Sequence, residues 1–190
     1  MAEAVARNTV EDLLVSIPTK KGHCHFLPSG TVHALGAGML VAEVQTPSDT
    51  TFRLYDFNRI DPTTSKPRQL HIEQSLNCID FSGAPEPRQP RSHVAGLFTT
   101  VTRLATSEFF KLEKVRFTEG VEEPVPYDEP VVWVMLEGRA QIQVSDLKEP
   151  VHFTRGDTIL LPAEMNNPII KTLTDCVWLE VTFPTQPDIT

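Results

Sequence analysis

Long apolar runs and clusters of basic residues are both missing from this 190-residue sequence. A membrane-spanning helix needs about 20 consecutive apolar residues, and no stretch comes near that length. The first eight residues have no hydrophobic region of the kind that a signal peptide carries. Nucleic acids and anionic lipid surfaces are held mainly by Lys and Arg, whereas this chain has 25 acidic against 17 basic residues. The sequence therefore predicts no nucleic-acid partner and no membrane partner.

Cysteine is also scarce, with Cys24, Cys78 and Cys176 as the three examples. An odd number of widely spaced cysteines without a C-x-x-C pair excludes a disulfide framework and a four-cysteine zinc site. We therefore expect free thiols, buried or half-buried, in a reducing cytoplasm.

Glycine is less frequent than proline, nine residues against sixteen, and so much proline disfavours a mainly helical chain. One helix is predicted from Thr9 to just before Pro18, and a second short one near Ser75. Elsewhere apolar residues alternate with polar ones and turn residues interrupt them, which predicts strands. The predicted strands cover 24–27, 31–35, 39–45, 51–56, 109–117, 131–136, 140–144, 158–161 and 176–183.

A weak internal repeat supports a duplicated β architecture. Gly22-x5-Pro28 in the first half matches Gly156-x5-Pro162 in the second, and each pair places a strand before a proline-led turn. We expect a mainly β protein with two units, 1–92 and 93–190.

The first repeat continues into a fuller motif, G-x5-P-x-G-x2-H, which ends at His33. A return strand after such a turn would direct one imidazole inward, where it could bind Zn, Fe, Mn or Ni. The pattern resembles the second motif of the cupin superfamily, small β-barrels (jelly rolls) that hold a metal inside the barrel. The alternative is a partly buried histidine with a structural hydrogen bond.

Three further runs follow this motif: PSGTVHALGAG at 28–38, EVQ at 43–45 and SDTTFRLYD at 48–56. Together they resemble type I mannose-6-phosphate isomerase in its short bacterial form. The resemblance is continuous over 20–60 and looser through 68–71 into a C-terminal β unit. It implies a metal-dependent interconversion of mannose 6-phosphate and fructose 6-phosphate, with one divalent metal, taken as zinc, and a sugar phosphate as substrate.

The resemblance also implies roles for three residues. His33 matches a metal ligand, Arg53 the active-site arginine, and Glu43 an acidic residue of the cavity wall that could transfer a proton. The residues themselves leave alternatives open. Glu43 could be a hydrogen-bonded wall carboxylate, and Arg53 could form a structural salt bridge with Asp49 or Asp56.

The chain also departs from this family. Most family ligands, a Gln-x-His pair and a Glu, come from strands before the P-x-G turn, but residues 1–21 contain neither His nor Gln. The sequence is therefore expected to match the C-terminal part of the enzyme, with a first barrel that is incomplete at its N-terminus. An incomplete barrel would expose a strand edge and favour a homodimer. His23 and His25 share one strand face and could form an accessory metal pair, or they are two surface or edge histidines.

The second unit repeats the turn without the histidine, because Asn167 stands where His33 stands in the first unit. We expect this unit to bind no metal, and Trp133 and Trp178 to anchor its core rather than stack on a sugar. Two functions remain open for the chain. One is an isomerase of impaired activity, and the other is a non-catalytic cupin-like remnant or small-molecule binding protein.

Overall fold

The chain divides into two compact units, Met1–Pro87 and Arg88–Thr190. The structure, a computed structural model, describes residues 1–46, 48, 50–83 and 88–184. The first unit contains helix α1 (Ala2–Arg7), a 3₁₀ helix (Val10–Leu13) and helix α2 (Ile72–Cys78). No helix in the described part of the chain is long and apolar enough to cross a membrane.

The described residues form ten strands, all of them in the second unit. They are β1 (Ser92–Ala95), β2 (Thr99–Thr106), β3 (Lys111–Phe117), β4 (Glu122–Pro124), β5 (Val131–Glu137), β6 (Arg139–Gln143), β7 (Val151–Thr154), β8 (Thr158–Leu161), β9 (Ile169–Thr172) and β10 (Cys176–Thr182). Every pairing is antiparallel. Six strands form one sheet in the order β1-β2-β3-β10-β5-β8, and four form another in the order β4-β9-β6-β7.

Alternating side chains of these strands build the core of the second unit. On β5, Val131, Trp133 and Met135 are buried while the intervening residues are less so. They join Ile142 of β6 and Trp178 of β10 in one hydrophobic cluster, which is the burial expected of two antiparallel sheets in a jelly roll. The mainly β class and the cupin-like architecture are thereby confirmed, and both tryptophans are core residues.

The first unit differs from its prediction in secondary structure. The strands predicted over 24–27, 31–35, 39–45 and 51–56 are extended or irregular segments, and the described residues of this unit form a single isolated bridge, between Ile60 and Pro67. The sequence alternates as a strand does, but a strand requires a hydrogen-bonded neighbour. The described residues of these four segments form no strand, and the 51–56 segment has an isolated backbone hydrogen bond, from the His71 amide to the Arg53 carbonyl oxygen, in place of a ladder.

The helix predicted from Thr9 is only a four-residue 3₁₀ helix, and an α-helix that was not predicted, α1, precedes it. Asn8 adopts a left-handed conformation with φ 60° and ends α1, so that Thr9 precedes only a short 3₁₀ turn. Asparagine tolerates this conformation better than most residues, which explains the break. The short helix predicted near Ser75 is confirmed as α2.

Candidate functional site

His33 lies on the surface of the first unit, after the Pro28–Gly30 turn. That turn is closed by a hydrogen bond from the Thr31 amide to the Pro28 carbonyl. Gly30 has φ +85°, and a side chain there would lie 2.8 Å from the Cys78 carbonyl oxygen, so only glycine fits. The His33 side chain is exposed, and its Nδ1 lies 2.9 Å from the carbonyl oxygen of Thr31. The alternative of a partly buried His33 therefore does not hold, although its role as a ligand stays a prediction.

His23 and His25 lie close together, as their spacing predicts. Their ring centroids are 6.1 Å apart in an edge-on arrangement. Each ring also has a neighbour nearby. The Lys20 amide donates to Nδ1 of His23 at 3.2 Å, and Nε2 of His25 lies 3.2 Å from the Thr19 hydroxyl. The pair is thus preformed, but its nitrogens are partly engaged in local hydrogen bonds.

Glu43 and Arg53 occupy different environments. The Glu43 side chain is exposed on an extended segment, whereas Arg53 is half-buried and its Nη1 donates to the carbonyl oxygen of Gln69 at 3.4 Å. No hydrogen bond or ion pair joins these two side chains to each other or to His33 in the described part of the chain. The structure therefore does not gather the three predicted site residues by direct contact.

The salt bridge that could have explained Arg53 is made by another arginine. Arg68 Nε donates to Asp56 Oδ2 at 2.8 Å, and its Nη2 donates to Oδ1, which gives a two-pronged ion pair. The hydrogen bond from Arg68 lowers the pKa of the Asp56 carboxyl, with smaller electrostatic contributions from Arg53 and Arg59. Asp49, the other partner considered for Arg53, lies outside the described residues.

His71 is a site-associated residue that the sequence motifs did not single out. Its amide donates to the carbonyl oxygen of Arg53 at 2.8 Å, and its ring Nδ1 accepts from the Arg53 amide at 3.2 Å. The same residue lies at the start of α2. Arg53 is therefore held at both backbone groups by one histidine eighteen residues away. The R-Q-L-H run at 68–71 was the only sequence signal for this arrangement.

The metal-binding prediction can be tested against the donor groups of this chain. Within the described residues, no three or more His, Cys, Asp or Glu side chains come together in a way that could hold a metal ion. Zinc needs about four such donors in a structural site and three in a catalytic one. The residues that the structure describes therefore do not form a zinc site by themselves.

The second unit carries a polar group at the centre of its apolar core. The Glu180 carboxylate accepts hydrogen bonds from the Tyr127 hydroxyl, from Trp133 Nε1 at 2.8 Å and from Trp178 Nε1 at 3.4 Å. Burial raises the pKa of Glu180, against the opposing effect of these donors. Asn167, the counterpart of His33, is exposed in a turn with φ 48°. This core is filled mainly by aliphatic and aromatic side chains, with the Glu180 carboxyl group among them.

With the geometry described, the chain can be compared with known proteins. No family model matches it. A mannose-6-phosphate isomerase of Streptococcus mutans is 36% identical over 165 residues, covering 85% of this chain and 49% of that protein. Mannose-6-phosphate isomerase ManA of Bacillus subtilis is 31% identical over 176 residues, covering 91% of this chain and 53% of that protein. The chain is homologous to the mannose-6-phosphate isomerases.

A solved structure supports the fold of these isomerases for this chain. The crystal structure of the mannose 6-phosphate isomerase from Bacillus subtilis superposes with a TM-score of 0.60 and 23% identity, covering 72% of this chain and 41% of that one. The chain spans about half the length of the curated relatives it matches. The relationship to mannose-6-phosphate isomerases predicted from the motifs is therefore confirmed, over that half.

Proposed function

We propose that this chain supplies part of the active site of a mannose-6-phosphate isomerase, acting on the sugar phosphates mannose 6-phosphate and fructose 6-phosphate. The observation that carries the proposal is the 36% identity over 165 residues to the Streptococcus mutans isomerase. The proposed active-site residues are His33 as a zinc ligand, Arg53 as the cation for the substrate, and Glu43 as a proton-transfer group. His23 and His25 are the proposed accessory ligands.

The chemistry of an aldose–ketose isomerisation requires groups of these types. A proton must move between two adjacent carbons, and a carboxylate such as Glu43 can take and return it. A guanidinium such as Arg53 can bind phosphate oxygens by two parallel hydrogen bonds. The clamp on the Arg53 backbone by His71 would limit the positions available to that guanidinium. Zinc would be held by His33 only together with donors that the described residues do not bring to it.

The proposal extends to location and assembly. A sugar-phosphate enzyme whose Cys24, Cys78 and Cys176 form no disulfide with one another suits the reducing cytoplasm. The predicted homodimer has a changed physical basis, because the first unit presents exposed extended chain rather than the strand edge that was expected. Association through that chain remains the proposed route by which copies would pair.

A second candidate function is a non-catalytic, cupin-like binding protein. The exposed positions of His33 and Glu43, and the lack of direct contact between them and Arg53, favour this candidate for the chain alone. The two candidates predict different results when further metal ligands are supplied. The isomerase would then turn over its substrate, and the binding protein would not.

A chimera tests the proposed function. The half of the Streptococcus mutans isomerase that this chain does not match is fused ahead of Met1, and isomerisation of mannose 6-phosphate is followed by a coupled assay with zinc present. We expect turnover that is lost in His33→Ala, Glu43→Gln and Arg53→Ala versions. The exposed Lys148 provides a matched control, because Lys148→Ala should leave turnover unchanged. A folded chimera without turnover would favour the binding protein.

A further inference from the structure

One end of the second unit carries polar side chains on the inner face of its six-stranded sheet. Residues that pair across antiparallel strands share a face of the sheet, and so do alternate residues along one strand. The pairings place two rows side by side, with Arg103, Glu113, Glu180 and Trp133 in the first and Thr106, Lys111 and Thr182 in the second. Trp133 belongs to the hydrophobic core, so both rows face the interior. We call the six polar residues of these rows the polar end.

The polar end contains buried polar atoms that lack a hydrogen bond. Among the described residues these atoms are Arg103 Nε, Thr106 Oγ1 and Thr182 Oγ1, and the remaining example, Ser75 Oγ, lies in the first unit. Buried polar atoms in native proteins nearly always have a partner, and an exception calls for an explanation. Three such atoms in two adjacent rows indicate a common partner rather than scattered packing defects.

The charged groups of the polar end are also incompletely paired. The Glu113 carboxylate is shared by two cations, because its Oε1 lies 3.5 Å from Arg103 Nε and its Oε2 lies 3.9 Å from Lys111 Nζ. Both distances exceed the length of a charge-assisted hydrogen bond, about 2.7–2.9 Å. One carboxylate therefore serves two cations without a close contact to either, and an anion could bind both cations more closely.

Arg103 connects the polar end to solvent. Its side chain is 40% exposed, whereas the side chains of Lys111 and Glu113 are 19% and 15% exposed. Thr182 is buried, at 5% exposure. Exposure thus falls from Arg103 towards Thr182, so a ligand that enters beside the guanidinium would meet an unpaired hydroxyl at its buried end.

We propose that the polar end is a binding site for a small hydroxylated anion, either a sugar phosphate or a sugar acid. Arg103 and Lys111 would donate to its anionic group, and its hydroxyl groups would donate to the Glu113 carboxylate. The hydroxyls of Thr106 and Thr182 would gain the partners that they lack. The site lies in the second unit, away from the residues of the proposed function, and the proposal stands whether or not the chain is part of an isomerase.

The two tryptophans of the chain are reporters for this site. Both indole N–H groups donate to Glu180, which pairs with Glu113 across β10 and β3. The indole cross-peaks of the ¹⁵N-labelled full chain are followed by NMR during separate titrations with fructose 6-phosphate, gluconate, inorganic phosphate and neutral sorbitol. We expect saturable shifts with the first two compounds. Inorganic phosphate, which has no carbon-bound hydroxyls, should bind about tenfold more weakly, and sorbitol should cause no shift.

Three variants locate the site. Arg103→Gln and Thr182→Val should each weaken binding about tenfold by removing a donor to the ligand. Thr182→Val also removes a buried hydroxyl without a partner, so the chain alone should be at least as stable as the wild type in urea. This result would separate lost binding from lost folding. Arg116→Gln is the matched control and should leave binding unchanged, because Arg116 is exposed and neighbours the core residue Val115 on β3, which places it on the opposite face.

Each outcome decides the proposal. Binding of both sugar anions, or of one class alone, would support it, and the second case would identify the anionic group as a phosphate or a carboxylate. The absence of saturable shifts would overturn it, as would shifts that Arg103→Gln and Thr182→Val leave unchanged or that Arg116→Gln also removes. Inorganic phosphate binding as tightly as the sugar anions would mean an adventitious ion only and would overturn the hydroxylated ligand.

Discussion

Trp133 donates its indole N–H to the Glu180 carboxylate at 2.8 Å, and both side chains lie in the core of the second unit, 3% and 4% exposed. A buried carboxylate is costly unless donors surround it. Tyr127 and Trp178 supply further donors, yet no cation pairs with Glu180 among the described residues. The core of this unit therefore contains a carboxyl group that is hydrogen-bonded but has no cationic partner among the described residues.

Replacing Glu180 should change how stability depends on pH. Burial raises the pKa of Glu180 in the folded chain. Between its pKa in the unfolded chain, about 4.3, and its higher pKa in the folded chain, the folded state therefore binds more protons than the unfolded state. Its contribution to the free energy of unfolding therefore falls as pH rises through that window. We expect the stability of Glu180→Gln relative to the wild type to improve as pH rises, measured by urea unfolding at several pH values.

The exposed Glu108 provides the control for that measurement. Glu108→Gln should stay within about 0.5 kcal/mol of the wild type across the same pH range, as surface substitutions usually do. A Glu180→Gln difference that is constant with pH would contradict the prediction.

Substituting Gly138 should destabilise the second unit strongly. Its φ is +89°, and a Cβ there would lie 2.1 Å from the Asp175 carbonyl oxygen and 2.8 Å from Cys176 Sγ. Backbone atoms cannot move aside cheaply, so Gly138→Ala combines left-handed strain with a steric clash and should cost about 3 kcal/mol or more. Gly120 has φ +77° with nothing within 4 Å, and Gly120→Ala should cost only about 1 kcal/mol. Equal losses in thermal unfolding would refute the role of the clash.

The longer strands of the second unit were the more predictable ones, because apolar side chains alternate along them. The 158–161 strand was predicted with its observed bounds, although only Leu161 of its four residues is buried, and the largely buried β10 was predicted to within one residue. β1, β2, β4, β7 and β9 were missed. β4 has three residues, and its Pro124 argues against a strand, whereas β9 alternates over only four residues.

The first unit shows where sequence patterns fail. Residues 39–45 have the composition of a strand, but strand formation also needs a neighbouring backbone, which local sequence does not report. The contacts of the site residues were equally difficult to predict from local sequence. His23 and His25 were expected to share a face of a strand, and their rings are neighbours although no strand forms there. The clamp of His71 on Arg53 spans eighteen residues, and the R-Q-L-H run at 68–71 was its single sequence signal.

The Asp56–Arg68 ion pair should hold the 56–68 turn in place. Asp56→Asn removes the charge that receives both guanidinium bonds, and we expect faster limited proteolysis between these residues. Arg68→Lys keeps the positive charge but loses the two-pronged guanidinium geometry, so its rate of cleavage should lie between those of the wild type and Asp56→Asn. Because Arg68 lowers the pKa of Asp56, its stabilising contribution is present above about pH 4 and is lost as pH falls through the folded value. Equal cleavage of all three chains would contradict this arrangement.

The 190-residue chain alone should isomerise mannose 6-phosphate poorly or not at all, even with added zinc. Its described residues bring no three donor side chains together, and loss of ligands weakens metal binding steeply. A coupled assay on the purified chain, with the Streptococcus mutans isomerase as positive control, measures this directly. Ordinary turnover abolished both by a chelator and by His33→Ala would contradict the prediction. It would show that His23, His25 or a second copy completes the site without donors from the half of the relatives that this chain does not match.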